Sequence, residues 1–362
     1  MLTCLIIQVL LAAFLINTSL GVSIISSIVF VFTQIMTSAS VGIDFVFGGL
    51  LNKGEWSFLL SALMPVVFIC ALIGILKYFK IIQYAMAGLG SVLNYVTRVG
   101  KMESFSILCS TSLGMAAPFI TVREYFDSLN RKQVYALAAA SISSIDLSIL
   151  ASYMKIINPT YVVLALFLNV FSFFIILTLI APANEDTAPN FDIMHTEEGI
   201  GFFETLTEHI WDDFKIVGAC VAMLIAFIAL IDLFNVIFNG IFGVSFQNIL
   251  GYVFSPLAFL MGIPWHDCVK VGGIIATKLI ANEFVAMMSL KDITAQLSPR
   301  SLAITSVFLI SFANFGSIGI IVGIVKGLSQ AQAKVVAGFS LRLIYGASLV
   351  SLLTATVTSL VL

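Results

Sequence analysis

Glu283 sits among apolar residues in the run Lys278-Leu279-Ile280-Ala281-Asn282-Glu283-Phe284-Val285-Ala286-Met287-Met288. A charge at the centre of a membrane helix costs roughly 2.5–3.5 kcal/mol on insertion scales, so a carboxylate kept there is expected to bind something. Downstream, Phe312-Ala313-Asn314-Phe315-Gly316-Ser317 sets Asn314 and Ser317 at i, i+3, the spacing of one helical face. Phe312 is expected one residue before a break, as an aromatic wall. Together with Asn282, these groups suit a neutral polyhydroxy compound: the carboxylate accepts hydroxyl protons, while amide and hydroxyl side chains donate or accept. The structural alternatives are helix–helix hydrogen bonds for Asn314 and Ser317 and a buried ion pair with Lys278 for Glu283.

Asp146 lies in a second polar interruption, Ser143-Ser144-Ile145-Asp146-Leu147-Ser148. It is a candidate proton carrier, with a structural hydrogen bond as the alternative. Lys101 and Glu103 are spaced to pair, while Asp44 and Asp232 lie too near helix ends to assign. His195, His209 and His266 fall in loops or interfaces without zinc-ligand spacing, and neither a phosphate-cradling glycine loop nor a nucleophile elbow is present. This argues against an enzyme. The five cysteines are scattered with neither metal-ligand nor disulfide-framework spacing, and read as small apolar filler.

The elements that must carry these residues are membrane helices. The 362 residues are 60% hydrophobic and 10% charged, against about 25% charged in soluble domains. The net charge of −2 and the lack of a basic tract leave no footprint for nucleic acid. The N-terminus enters an apolar run with no basic leader, as though starting inside a longer ancestral design. With about 20 apolar residues needed per span, spans are expected at 1–18, 57–79, 133–154, 160–181, 215–239, 302–325 and 336–361. Residues 20–50 and 81–97 read as interfacial helices. Residues 183–213, with Asn184-Glu185-Asp186 and Glu197-Glu198-Gly199, read as a polar loop leading to a surface helix.

Each half holds a segment too polar and broken to span, at 100–128 and 265–292. Each is followed by a short basic loop and then a long helix with a polar interruption, Ser141–Ser148 or Ser311–Ser317. From Ala117 to Ser144 is 27 positions, and from Glu283 to Asn314 is 31. Paired interrupted segments point to a secondary transporter built from inverted repeats, with two helical hairpins meeting near the midplane. Interfacial loops of a channel or a membrane enzyme are the alternative. The expected fold is an all-α polytopic membrane protein with two re-entrant hairpins and two interrupted helices.

Ala276-Thr277-Lys278 through Asn282-Glu283-Phe284-Val285-Ala286-Met287 resembles the signature of the concentrative nucleoside transporters. Phe312-Ala313-Asn314-Phe315 with Ser317 resembles that family's second substrate segment. Gly100-Lys101-Met102-Glu103-Ser104-Phe105 and the segment from Tyr153 to Ser172 resemble its bacterial, NupC-like branch. The likeness runs almost end to end and is weakest at the start, where the family's first transmembrane helix is missing. The resemblance implies a homotrimer in the inner membrane that carries nucleosides with sodium or protons, each protomer having two unwound helices, a scaffold and a moving transport domain. On that plan the divisions are 1–80 (N-terminal scaffold helices with an interfacial segment), 81–182 (first hairpin repeat: hairpin 100–128, broken helix 133–154, helix 160–181), 183–262 (polar loop, interfacial helix and scaffold helix), 263–328 (second hairpin repeat: hairpin 265–292, broken helix 300–328) and 329–362 (C-terminal scaffold helix). It also implies that Glu283, Asn314 and Ser317 hold the ribose, that Phe312 lines the pocket, and that Asn282 and Ile149 stand on the substrate side.

The first hairpin departs from the family pattern. Where relatives carry Gln, a hydroxyl or amide, and Glu at the tip, an ungapped alignment places Met115, Ala116 and Ala117. Each lost hydrogen bond to the base removes about 0.5–1.5 kcal/mol. Either the site is impaired or altered, or it takes a substrate recognised chiefly through its sugar. Ser110 replaces the Asn of sodium-coupled members, and Ser144 on the facing helix could add an oxygen to a cation site. A proton is therefore expected over sodium, with Glu283 and Asp146 able to carry it, and no cofactor is expected. The resulting expectation is a proton-driven nucleoside symporter for pyrimidine nucleosides such as uridine. An uncoupled facilitator or channel, or a transport-impaired ligand-binding homologue, is the alternative.

Overall fold

Helices satisfy their interior backbone groups within their own segment, and all regular structure among the described residues is helical. The structure, a computed structural model, describes residues 1–48, 50, 57–97, 100–181 and 201–362. Helices α1 (Leu2–Asn17), α2 (Ser19–Phe47), α3 (Pro65–Tyr78, continuing a wider turn at Leu59–Leu63) and α4 (Ile81–Thr97) precede the first hairpin. Among the described residues, six helices are long and apolar enough to cross a bilayer, or seven if one bent pair counts as a span.

The first hairpin is α5 (Lys101–Leu113), a tip at 114–116, α6 (Ala117–Thr121) and a 3-10 turn at Arg123–Ser128. Gly114 ends α5 at φ 88° and ψ 175°, backbone space that is essentially glycine-only. Asn130 and Gln133 form a reciprocal capping box that starts α7 (Arg131–Ser143). The chain unwinds at 144–146, and Asp146 caps α8 (Leu147–Ile156) through the Ser148 N–H at 2.9 Å. Helix α9 (Pro159–Ile180) follows, then α10 (Phe202–Phe242).

The second half repeats this order. Helices α11 (Phe246–Leu260) and α12 (Trp265–Ile280) bend through 114° across the joint. They touch through glycine backbone: a Cβ on Gly272 would lie 2.3 Å from the Gly251 carbonyl oxygen. Small residues at such a crossing are the membrane rule for close helix approach. After a tip at Ala281-Asn282 come α13 (Glu283–Asp292), a 3-10 turn at Thr294–Gln296, and α14 (Pro299–Leu309), capped by Ser298. The chain unwinds again at 310–314 before α15 (Phe315–Leu328), α16 (Gln330–Ala337) and α17 (Ser340–Val361).

Both expected hairpins and both expected interruptions are present. Other expectations need correction. Residues 20–50, read as interfacial, hold the 29-residue α2, which is long and apolar enough to span because its scattered Ser and Thr hydroxyls bond back into the helix. The stretch from Phe202 to Trp211 is no separate surface helix but the first turns of the 41-residue α10, since no proline interrupts it. Residues 183–200, with His195 and the acidic groups of the expected loop, lie outside the described residues. Helix α1 is 16 residues long, shorter than the expected span. Asp232 lies ten residues before the end of α10 rather than near it, and His209 on α10 packs against Gly74 of α3. Helix α17 packs along α9 and α1. Its Thr354 hydroxyl bonds Asn169 and Ser172 of α9, and Gln8 of α1 bonds Ser172 in turn. A polar row on an apolar helix must find partners, and here it finds them inside.

Candidate functional site

Asn282 reaches back to the Val285 N–H at 2.9 Å and starts α13, which leaves Glu283 as its first residue. Asn314 does the same for α15, accepting from the Ser317 N–H at 2.8 Å and the Ser317 hydroxyl at 3.1 Å. The i, i+3 spacing of Asn314 and Ser317 is therefore a cap and its third residue, not two neighbours on a continuous helical face. The amide of Asn314 has its nitrogen free for the other direction, and Nδ2 donates to Glu283 Oε2 at 3.0 Å. Two helix N-termini thus converge on one carboxylate, each bringing the positive end of its dipole.

The other carboxylate oxygen, Oε1, accepts from the Tyr153 hydroxyl at 2.9 Å. Tyr153 was not among the sequence candidates. The signal for it was available: a tyrosine hydroxyl inside an apolar segment must find a partner. Asp146, Ile149 and Tyr153 follow at i, i+3 and i+7 along one face of α8 and its cap. The ring of Phe284 stands edge-on to Tyr153 at 4.9 Å and to Phe58 at 5.8 Å, which fixes the tyrosine beside Glu283. Glu283 is 4% exposed, Asn314 4% and Ser317 3%. Asn282 is half-buried beside them.

The structural alternative for Glu283, a pair with Lys278, does not form. Lys278 Nζ instead donates to the Phe308 carbonyl at 2.6 Å, the Ser311 hydroxyl at 2.8 Å and the Ser351 hydroxyl at 3.1 Å. Lys101 and Glu103 do not pair either: the Glu103 carboxylate turns back onto its own backbone N–H. In the first turn of a helix that N–H has no other partner.

Phe312 is buried, and it lies inside the second break rather than before it. Its N–H donates to the Ser144 carbonyl at 3.2 Å, so the two unwound segments touch backbone to backbone. Ser144 and Ser110, the candidate cation ligands, are both fully withdrawn from the surface, with hydroxyl oxygens 2.6 Å apart. At the first hairpin tip, Gly114 packs against Asp146: a Cβ there would lie 2.7 Å from Asp146 Oδ2. The Met115 carbonyl accepts from the Ser141 hydroxyl at 3.0 Å. Met115, Ala116 and Ala117 are half-buried and offer aliphatic groups where the resemblance expects polar side chains. Ile149 and Phe312 belong to one apolar cluster, which Met115 packs against. No group of three or more metal-ligating side chains occurs among the described residues.

Comparison with known proteins gives this geometry a family. Residues 161–359 match the model described as Na+ dependent nucleoside transporter C-terminus, and residues 1–50 match its N-terminus counterpart. The purine nucleoside transport protein NupG of Bacillus subtilis is 34% identical over 99% of this chain and 91% of its own length. The nucleoside permease NupC of Helicobacter pylori is 24% identical over 98% of this chain and 89% of its own. The solved structure of CNTnw in an inward-facing substrate-bound state superposes with a TM-score of 0.91 at 27% identity, covering 99% of this chain and 90% of CNTnw. This multi-pass plasma membrane protein belongs to the concentrative nucleoside transporter family, in its bacterial branch.

Proposed function

We propose that this chain is a proton-coupled nucleoside symporter in which Glu283 and Asn314 hold the ribose. The observation that carries this reading is the Glu283 carboxylate, buried between the second hairpin tip and the second break and bonded by Tyr153 and Asn314, both neutral donors. Such bonds can be exchanged for those of sugar hydroxyls without separating an ion pair. Ser317, Phe312, Asn282 and Ile149 complete the substrate side. Met115, Ala116 and Ala117 face the base with apolar groups, so recognition rests chiefly on the sugar.

Ser110, standing where the resemblance places an Asn in sodium-coupled members, supports a proton over sodium. Glu283 and Asp146 are the carboxyls able to carry the proton. Assembly as a homotrimer completes the reading. Uridine is the first substrate to test, and the name of NupG favours a second reading, purine nucleosides.

Membrane vesicles given labelled uridine or inosine under an imposed pH gradient, without sodium, test both points. Accumulation above equilibrium is expected. Accumulation only with a sodium gradient would replace the coupling ion, and equilibration under either gradient would leave a facilitator. Inosine taken up in preference to uridine would select the purine reading.

A further inference from the structure

We infer that Lys278 is a tethered cation, its ammonium filling in the second half of the molecule the position that Ser110 and Ser144 form in the first. The two halves place these groups alike. Ser110 lies in the last turn of α5 and meets Ser144 at the first break, 34 residues on. Lys278 lies in the last turn of α12 and meets Ser311 at the second break, 33 residues on. Each contact joins a hairpin arm, just before its tip, to the unwound point of the helix that follows.

The surroundings of Lys278 are those of a bound cation. It is 0% exposed, and its Nζ takes three oxygens: the Phe308 carbonyl and the Ser311 and Ser351 hydroxyls. The Phe308 ring stands below it with the centroid 4.4 Å away. Cation–π contact and neutral oxygens are how a desolvated cation is held without an anion.

Phe308 is the penultimate residue of α14, so its carbonyl is among the last four that a helix leaves without an internal partner. Asn169 Nδ2 takes the Ile310 carbonyl at 2.5 Å, and the Ser311 N–H takes that of Leu309 at 2.9 Å. The negative end of α14 is thereby closed from three sides, with the only formal charge supplied by Lys278. Half-helix C-termini and unwound carbonyls are where such folds coordinate small cations. In the second half a side chain permanently supplies what the first half leaves to a hydroxyl pair. Lys278 is thus a positioning residue: it ties the end of α14 and the second break to the hairpin arm α12 and to α17.

The test is thermal unfolding of the purified full chain, as wild type, Lys278→Ser and Lys278→Met. Sodium or methylammonium chloride is titrated against choline chloride at constant ionic strength. Lys278→Ser opens a space lined by oxygens and is expected to melt lower in choline, then to regain a few degrees with sodium or methylammonium. Lys278→Met keeps the stem without the charge and should not respond beyond wild type. Vesicle uptake by Lys278→Ser should recover with the same added cation, in rate rather than in nucleoside KM. A Lys278→Ser midpoint that responds no more than wild type would overturn the inference. Should that variant fail to fold, Ser311→Ala and Ser351→Ala each strip one oxygen from the ammonium. Both are expected to lower the midpoint and slow uptake at unchanged nucleoside KM, and wild-type behaviour of both would equally overturn it. The inference rests on the internal equivalence of the halves and not on the driving ion. The melting readout needs neither nucleoside nor gradient, so it stands apart from the uptake test.

Discussion

Glu283 is kept at membrane depth by a shell of neutral donors, which on the proposed function a substrate would replace. Side-chain donors from Tyr153 and Asn314, one to each carboxylate oxygen, join the residue's own backbone N–H and still leave a lone pair for a sugar hydroxyl. Hydrogen bonds to a charged group are worth about 1.5–3 kcal/mol. Glu283→Gln is therefore expected to lower uptake kcat/KM by about 10- to 100-fold, measured as initial rates in vesicles at matched expression. Tyr153→Phe removes one donor and its order-giving bond, and should raise nucleoside KM by about tenfold while the protein stays folded. Lys278→Ala should spare nucleoside KM relative to Glu283→Gln, because the two side chains serve different contacts; equal effects on KM would reinstate a common role. Most of the site was legible at this scale, since a carboxylate, two amides and a hydroxyl in apolar surroundings announce themselves. Tyr153 was overlooked because it stands 130 residues from Glu283, and nothing local records where its hydroxyl ends.

At the scale of elements, five of the polar residues that interrupt the chain start helices. Asn130, Asp146, Asn282, Ser298 and Asn314 all accept a backbone N–H from the turn they begin. Asp146, Asn282 and Asn314, candidate binding groups in the sequence, are thus caps as well; Asn314 also reaches Glu283 because an amide has two ends. The tip glycine is the strictest of these local requirements. Gly114→Ala would combine a backbone conformation costing about 1–3 kcal/mol with a methyl pressed on Asp146, so a lower thermal midpoint and slowed uptake are expected. The neighbouring tip tests base recognition. Restoring polar groups with Met115→Gln, Ala116→Ser and Ala117→Glu together should tighten nucleoside affinity by tenfold or more, read from uptake KM. An unchanged KM would mean that the tip does not face the base.

Over the whole molecule, apolar side chains turn outward along α2 and α10, including Phe30, Val31, Phe45, Ile225, Leu233 and Ile241. Polar side chains turn inward along α1, α9 and α17. An exposed apolar face that long suits lipid and neighbouring copies. Cross-linking in native membranes is expected to capture a three-subunit species with linkages concentrated on α10, and a ladder ending at the monomer would remove the trimer from the proposal.

Composition alone established a membrane protein, because backbone polar groups without water must bond within a helix. The paired interruptions located both hairpins and both unwound points, since polar residues and glycine at membrane depth are tolerated only where the chain turns or breaks. Span assignment failed where apolarity was diluted: Ser and Thr made α2 look interfacial, yet their hydroxyls bond back to the helix and leave it able to span. Partnership was the other thing a string of residues does not hold. Lys278 and Glu283 lie five residues apart, which left an ion pair as the structural alternative, but the hairpin bends between them. One side chain is carried to the end of α14 and the other to Tyr153 and Asn314, because each polar group takes the partners that packing brings within reach.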